Sequence, residues 1–179
     1  MIKKIIIVGG GSAGWMTAAT LSKFCSDKEI TLIESPNIPT VGVGESTLGS
    51  INTWLTMMGI KDEDFMKHCN ATYKLSIRFQ DFGRLGDGGF HYPFGPPYTK
   101  ENRAELNDWY FKKIIYPDTH NMDYAECMFP QMALVAQNRV SDKPNIVDGD
   151  WNFERDAAYH FDATLFAAWL KDQDRKSVV

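Results

Sequence analysis

The segment Gly9-Gly10-Gly11-Ser12-Ala13-Gly14 restricts the possible folds of this chain more than any other. It satisfies the pattern GxGxxG and follows the β-branched run from Lys3 to Val8. After it, Trp15, Ala18, Leu21 and Phe24 recur at three-residue steps. The run predicts a buried parallel strand, and the spacing predicts a helix from Trp15 to Phe24 that begins at the glycines. Glu29 to Glu34 reads as a second strand, stopped by Pro36. Strand, helix and strand within about thirty residues make a right-handed βαβ unit, so the fold class is α/β and Rossmann-like. In such a unit Gly9 makes the turn, Gly11 admits a pyrophosphate to the backbone, and Gly14 lets helix and strand pack closely. Ser12 and Ala13, within the same motif, are counted with the glycines as cofactor-binding residues. Glu34, twenty residues after Gly14, ends the second strand where an acid can bind the adenosine ribose hydroxyls. A dinucleotide site follows, with FAD and NAD both open because they use the same geometry.

A length of 179 residues suits one domain, or one domain with part of another, and predicts no second complete domain. Hydrophobic residues at 44% and aromatics at 13% exclude a disordered chain. The net charge of −4 and the absence of any Lys/Arg cluster longer than Lys112-Lys113 or Arg175-Lys176 make nucleic acid a poor partner. The N-terminal apolar run meets glycine too early for a secretory core or a membrane span, so the expectation is a cytoplasmic chain without a membrane partner. Cys25, Cys69 and Cys127 contain no CxxC pair and read as three buried thiols. His68, His120 and His160 lack further ligands at metal-site spacing, so no metal is expected.

Ser35 to Ser46, with two prolines and two glycines, reads as a loop on a fixed path. A helix is predicted from Thr47 to Met58, with Leu48, Ile51, Leu55 and Met58 at helical spacing. Tyr73 to Gln80 alternates strictly, predicting one strand with Lys74, Ser76, Arg78 and Gln80 on a polar face. Gly83 to Pro97 holds five glycines and three prolines interleaved with aromatics and predicts an aromatic-lined loop. Helices are predicted over Trp109 to Tyr116 and Gln131 to Gln137. Another opens at Asp162 as N-cap, with Leu165, Phe166, Trp169 and Leu170 on its apolar stripe.

Gly9-Gly10-Gly11-Ser12-Ala13-Gly14-Trp15-Met16 resembles the N-terminal fingerprint of the flavin-dependent tryptophan halogenases. Three further stretches resemble that family in order: Ile38-Pro39-Thr40-Val41-Gly42-Val43-Gly44-Glu45-Ser46-Thr47, Asn70-Ala71-Thr72-Tyr73-Lys74, and His160-Phe161-Asp162-Ala163. The match runs from Lys3 to about Leu170. It implies a Rossmann-like FAD-binding fold of the flavin monooxygenase and halogenase type. It also implies a two-component enzyme that uses reduced FAD from a separate flavin reductase, oxygen and halide to make hypohalous acid for electrophilic halogenation of an aromatic or indole substrate.

By the same resemblance Lys74 is the lysine that hands electrophilic halogen to the ring. The site needs an amine that desolvation can shift toward its neutral form, which arginine cannot supply. Val41, Gly42, Val43, Gly44, Glu45 and Ser46 resemble the strap that lies against the isoalloxazine; Glu45 also reads as a cap on the following helix. His91, Tyr92 and Phe94 fall where the family places the residues that sandwich the substrate. Phe94 fits the second position, while Tyr92 occupies the first with the histidine displaced to His91.

The family's later WxWxIP motif has no counterpart, since Trp151-Asn152-Phe153-Glu154 lacks the second tryptophan and Ile-Pro. The expectation is therefore an N-terminal part of the FAD-binding domain over residues 1–179, incomplete at its C-terminus, with a substrate-site insertion at about 83–130. A downstream chain would complete it. Two readings stay open beside a halogenase: another FAD- or NAD-dependent oxidoreductase, and a noncatalytic flavin-binding remnant.

Overall fold

The βαβ unit expected from the glycine-rich turn is present in the computed structural model, which describes residues 2–38, 45–97, 106–119, 122–140 and 151–175. In chain order the first elements are β1 (Lys4–Val8), α1 (Ser12–Phe24), β2 (Glu29–Ile33), β3 (Glu45–Ser46), α2 (Ile51–Met58), α3 (Asp62–Phe65) and β4 (Thr72–Lys74). There follow β5 (Ser76–Gln80), β6 (Gly89–Pro93), α4 (Leu106–Ile115), α5 (Tyr124–Met128) and α6 (Met132–Ala136). The last are α7 (Phe153–Asp156), β7 (Ala158–Phe161) and α8 (Ala163–Arg175). They form two compact units: Met1–Thr47, Thr53–Thr72 and Tyr159–Val179 in the first, Leu48–Asn52 and Tyr73–Ala158 in the second.

In the first unit β1 and β2 pair in parallel, from Lys4 opposite Glu29 to Val8 opposite Ile33. The continuous apolar run of β1 is not buried on both faces, as its composition suggests. Burial alternates: Ile5 and Ile7 are half-buried, whereas Ile6 and Val8 are 64% and 82% exposed. Among the described residues the bare face of this pair also presents Ile33. α1 buries Trp15 and Ala18, but Phe24 at its end is exposed.

An aromatic cluster forms the centre of this unit. Phe65 meets Tyr159 edge-on at 5.1 Å and Phe166 at 6.1 Å, and Phe161 lies 4.6 Å from Phe166. Such pairs add about 0.5–1.5 kcal/mol each beyond the area they bury. The stripe of α8 runs Ala163, Phe166, Ala167, Leu170, all buried, at i, i+3, i+4 and i+7. Leu165, expected on the stripe, is 37% exposed, whereas Trp169 is buried. Asp162 caps α8 as expected, its Oδ1 accepting from the amides of Thr164 at 2.8 Å and Leu165 at 3.0 Å. Cys69 is the buried thiol, pushed up to about 11 by burial and then by the neighbouring Asp162 charge. Cys25 is half-buried and Cys127 exposed, so the expectation of three buried thiols is corrected.

In the second unit the predicted single strand over Tyr73 to Gln80 is broken. β4 ends at Lys74, β5 begins at Ser76, and Leu75 between them is buried like Lys74. Two consecutive inward residues cannot occur in a regular pleat, so the break is what allows both to turn inward. Gly83 to Pro97 is not wholly loop. Its second half forms β6, antiparallel to β5 with Ile77 opposite Tyr92 and Phe79 opposite Phe90. Leu75, Trp151 and Ala157 form a small core against Tyr73, Leu134 and Val135. Asn52 Nδ2 donates to the carbonyls of Arg155 at 3.0 Å and Ala157 at 2.5 Å.

Asp162→Ala removes an acceptor shared by two otherwise unpaired helix amides. It is expected to lower unfolding free energy by about 1 kcal/mol, with Asp162→Asn recovering most of the loss. Urea unfolding followed by circular dichroism measures both; an unchanged midpoint in the alanine variant would contradict the cap.

Candidate functional site

The glycine-rich turn lines a cleft of about 880 Å³ in the first unit. Gly9, Gly11, Ser12 and Ala13 line it, together with Glu34 from the end of β2, Glu45 and Ser46 from β3, and Phe161 and Ala163. Seven of the predicted cofactor residues are therefore gathered in one place. Val41, Gly42, Val43 and Gly44 lie outside the described residues.

Each glycine has a distinct reason. Gly9 turns the chain at φ +122°, a conformation closed to most side chains, while its amide still donates to the Ile33 carbonyl at 2.9 Å. Gly14 does not line the cleft; a Cβ there would stand 1.9 Å from the Gly9 carbonyl oxygen. That is the close helix–strand approach its position predicts. Gly10 has a requirement the pattern does not contain, because its Cβ would meet Glu34 Oε2 at 1.9 Å and Glu34 Cβ at 2.6 Å.

Gly11 is the N-cap of α1 and no side chain caps the helix there, so its first amides are left for another acceptor. With no acidic residue in the first turn, that end favours an anion. Ser12 turns its hydroxyl to the Ala163 carbonyl at 3.3 Å and so ties the loop to the start of α8. Glu34 receives the Trp15 indole N–H on Oε2 at 3.3 Å and pairs through Oε1 with Lys171 of α8. Glu45 does not cap a helix. It lies in β3 opposite Phe161, six residues before α2 begins. Uncapped amides, a loop free of side chains and an acid at the strand end fit the pyrophosphate and ribose of FAD.

Lys74 belongs to the second unit. It is 8% exposed, not a solvated strand lysine, and its Nζ lies 5.1 Å from the centroid of the Phe94 ring. Burial holds the amine below the usual lysine range. The Phe94 face opposes this in part, since a ring face favours the ammonium by about 0.5–2 kcal/mol.

Phe94 is itself fixed. Its carbonyl accepts from Gln131 Nε2 at 2.5 Å and from Trp151 Nε1 at 3.0 Å, and its amide donates to the Leu75 carbonyl at 3.0 Å. Gly95 follows at φ +83°, where a Cβ would stand 2.6 Å from the Trp151 ring. His91 Nδ1 and Ser76 Oγ share a hydrogen bond at 2.9 Å across the hairpin. Tyr92 is 61% exposed, whereas Phe94 is buried. Gln131, Trp151, Gly10 and Lys171 carry no local motif, and only their long-range partners reveal them. Among the described residues no group of three His, Cys, Asp or Glu could hold a metal ion. No described helix is long and apolar enough to cross a membrane.

The βαβ unit and its glycine turn define a Rossmann-like α/β fold. The tryptophan halogenase family profile matches residues 4–179, and the chain belongs to that family. It is 32% identical to the tryptophan 6-halogenase ThaL of Streptomyces albogriseolus over 96% of this chain and 34% of that protein. Among solved structures, that of VirX1 in its apo form superposes with a TM-score of 0.86 at 44% identity, covering all of this chain and 35% of VirX1. Xcc4156, a flavin-dependent halogenase from Xanthomonas campestris, gives 0.80 at 32% identity, again over the whole chain and 34% of the other. The chain thus spans about a third of the length of these relatives.

Two outcomes follow from this geometry. Gly14→Ala should cost at least about 1–3 kcal/mol of stability, because its Cβ would overlap backbone and not a yielding side chain; urea denaturation reads it directly. The second concerns pH. Burial lowers the Lys74 pKa below its unfolded value, so its charge costs stability at neutral pH. The unfolded chain then binds more protons between the two values, and that cost disappears as pH rises through the window. Relative to Lys74→Met, the wild type should gain stability with rising pH in the alkaline range. In ¹³Cε-lysine spectra the Lys74 resonance should titrate lower in the folded protein than in urea, and an unchanged midpoint would refute it.

Proposed function

We propose that the chain forms the FAD-binding and lysine-bearing part of a flavin-dependent halogenase acting on an aromatic, indole-type substrate. The observation that carries this reading is the buried amine of Lys74 against the face of a fixed Phe94. Family membership and the gathered glycine cleft support it and favour a halogenase over an unrelated NAD-dependent oxidoreductase.

When bound, reduced FAD supplies the two electrons with which dioxygen oxidises halide to hypohalous acid, leaving water and oxidised flavin. Gly9, Gly11, Ser12 and Ala13 would hold the pyrophosphate at the N-terminus of α1, and Glu34 would take the adenosine ribose. Glu45 and Ser46, which line the same cleft, would lie beside the flavin ring. Lys74 activates the hypohalous acid in one of two ways. As ammonium it donates a hydrogen bond to the hypohalous oxygen and draws electron density from the halogen. As neutral amine it takes the halogen onto nitrogen and releases water. Burial favours the second form and the Phe94 face the first. Phe94, with His91 and Tyr92 on the same hairpin, positions the aromatic ring that is attacked; two carbonyl anchors keep its plane in register with the amine.

The reaction requires a flavin reductase as partner. Its test uses this chain with a supplied reductase, NADH and halide, alone and with any protein encoded immediately downstream. Halogenated indole or tryptophan is followed by mass spectrometry. Lys74→Ala is expected to remove at least 99% of product, in line with the loss of about 10²-fold or more when an acid–base or activating group is deleted. Oxidation of reduced flavin by oxygen should continue, because the lysine acts after that step. A variant that halogenates at the wild-type rate would remove Lys74 from the mechanism.

A further inference from the structure

We propose that Lys171, together with the indole N–H of Trp15, is a positioning residue for the flavin site. The two hold the carboxylate of Glu34 in the orientation that receives an adenosine ribose, and so set the preference for FAD over FMN. This rests on the reading that Glu34 binds the ribose. Glu34 stands just past β2 and lines the cleft. Left alone, a glutamate at a strand end samples several rotamers, and ordering it on binding costs affinity. Here each carboxylate oxygen already has a donor: Trp15 Nε1 on Oε2 at 3.3 Å and Lys171 Nζ on Oε1.

The cage has two further sides. Lys171 Nζ lies 5.7 Å from the Trp15 ring centroid, so ammonium, indole and carboxylate hold one another in a triangle. Beneath them Gly10 leaves the space that Glu34 Cβ and Oε2 occupy.

Lys171 also balances a negative charge that would otherwise face the pyrophosphate near the end of α1. The ion pair is about 30% exposed on both partners, and at that exposure pairs contribute little to stability. Its effect is therefore expected in ligand selectivity more than in folding. The ligand class is a dinucleotide with an unmodified adenosine ribose. FMN, which lacks that ribose, is the internal control.

The experiment measures dissociation constants of FAD and FMN by flavin fluorescence quenching on the 179-residue chain. Wild type is compared with Glu34→Ala, Lys171→Met, Lys171→Gln and Lys171→Arg, with circular dichroism melting in parallel. Glu34→Ala and both neutral Lys171 variants are expected to weaken FAD by about tenfold while leaving FMN within about twofold and the melting midpoint near wild type. Lys171→Arg should recover most of the loss. If Glu34→Ala is selective against FAD but the neutral Lys171 variants are not, or weaken both flavins alike, the positioning role is overturned and the reading of Glu34 stands. If Glu34→Ala is not selective, or the wild type binds FAD no better than FMN, that reading falls and the positioning role with it. Should Lys171→Met not fold, Lys171→Gln decides by the same criteria.

Discussion

The first unit depends on the absence of side chains at the junction of β1 and α1. A Cβ at Gly14 would lie within covalent-like distance of the Gly9 carbonyl, and a Cβ at Gly10 would displace the Glu34 carboxylate. Without them α1 sits directly on the strand pair, its first amides open into the cleft, and Glu34 folds over the loop. The Ser12 hydroxyl then carries the same geometry to α8. Backbone proximity, not side-chain packing, shapes this junction.

In the second unit the governing term is desolvation of one amine. An ordinary strand lysine keeps its head in water. Lys74 is buried because the chain breaks at Leu75 and turns two successive side chains inward. The unfavourable burial is offset in part by the Phe94 face, which is itself immobilised through its carbonyl by Gln131 and Trp151. A charge set between desolvation and an aromatic face is easily moved toward either protonation state. That suits a residue whose proposed task is to accept and release an electrophile.

What the sequence by itself determined is local. GxGxxG between a β-branched run and a helical stripe specifies a βαβ turn, because only glycine reaches φ +122° there without strain and admits the close backbone contact at Gly14. Asp162 before an apolar stripe specifies a helix start for the equally local reason that its carboxylate can reach amides two and three residues on. The four ordered motifs placed the chain in its family. The tertiary structure alone decided the rest. Residue composition could not show that β1 has one bare face, since burial depends on which neighbours are present. Alternation over Tyr73 to Gln80 could not show the break at Leu75, nor glycine content the strand β6, because cross-strand pairing overrides local preference. The side chains that hold the site residues in place act across separations no periodicity records: Trp151 and Gln131 on Phe94 over 57 and 37 residues, and Lys171 on Glu34 over 137. Such partners are set by where the fold brings two segments together, and a pattern read along the chain contains no information about that distance.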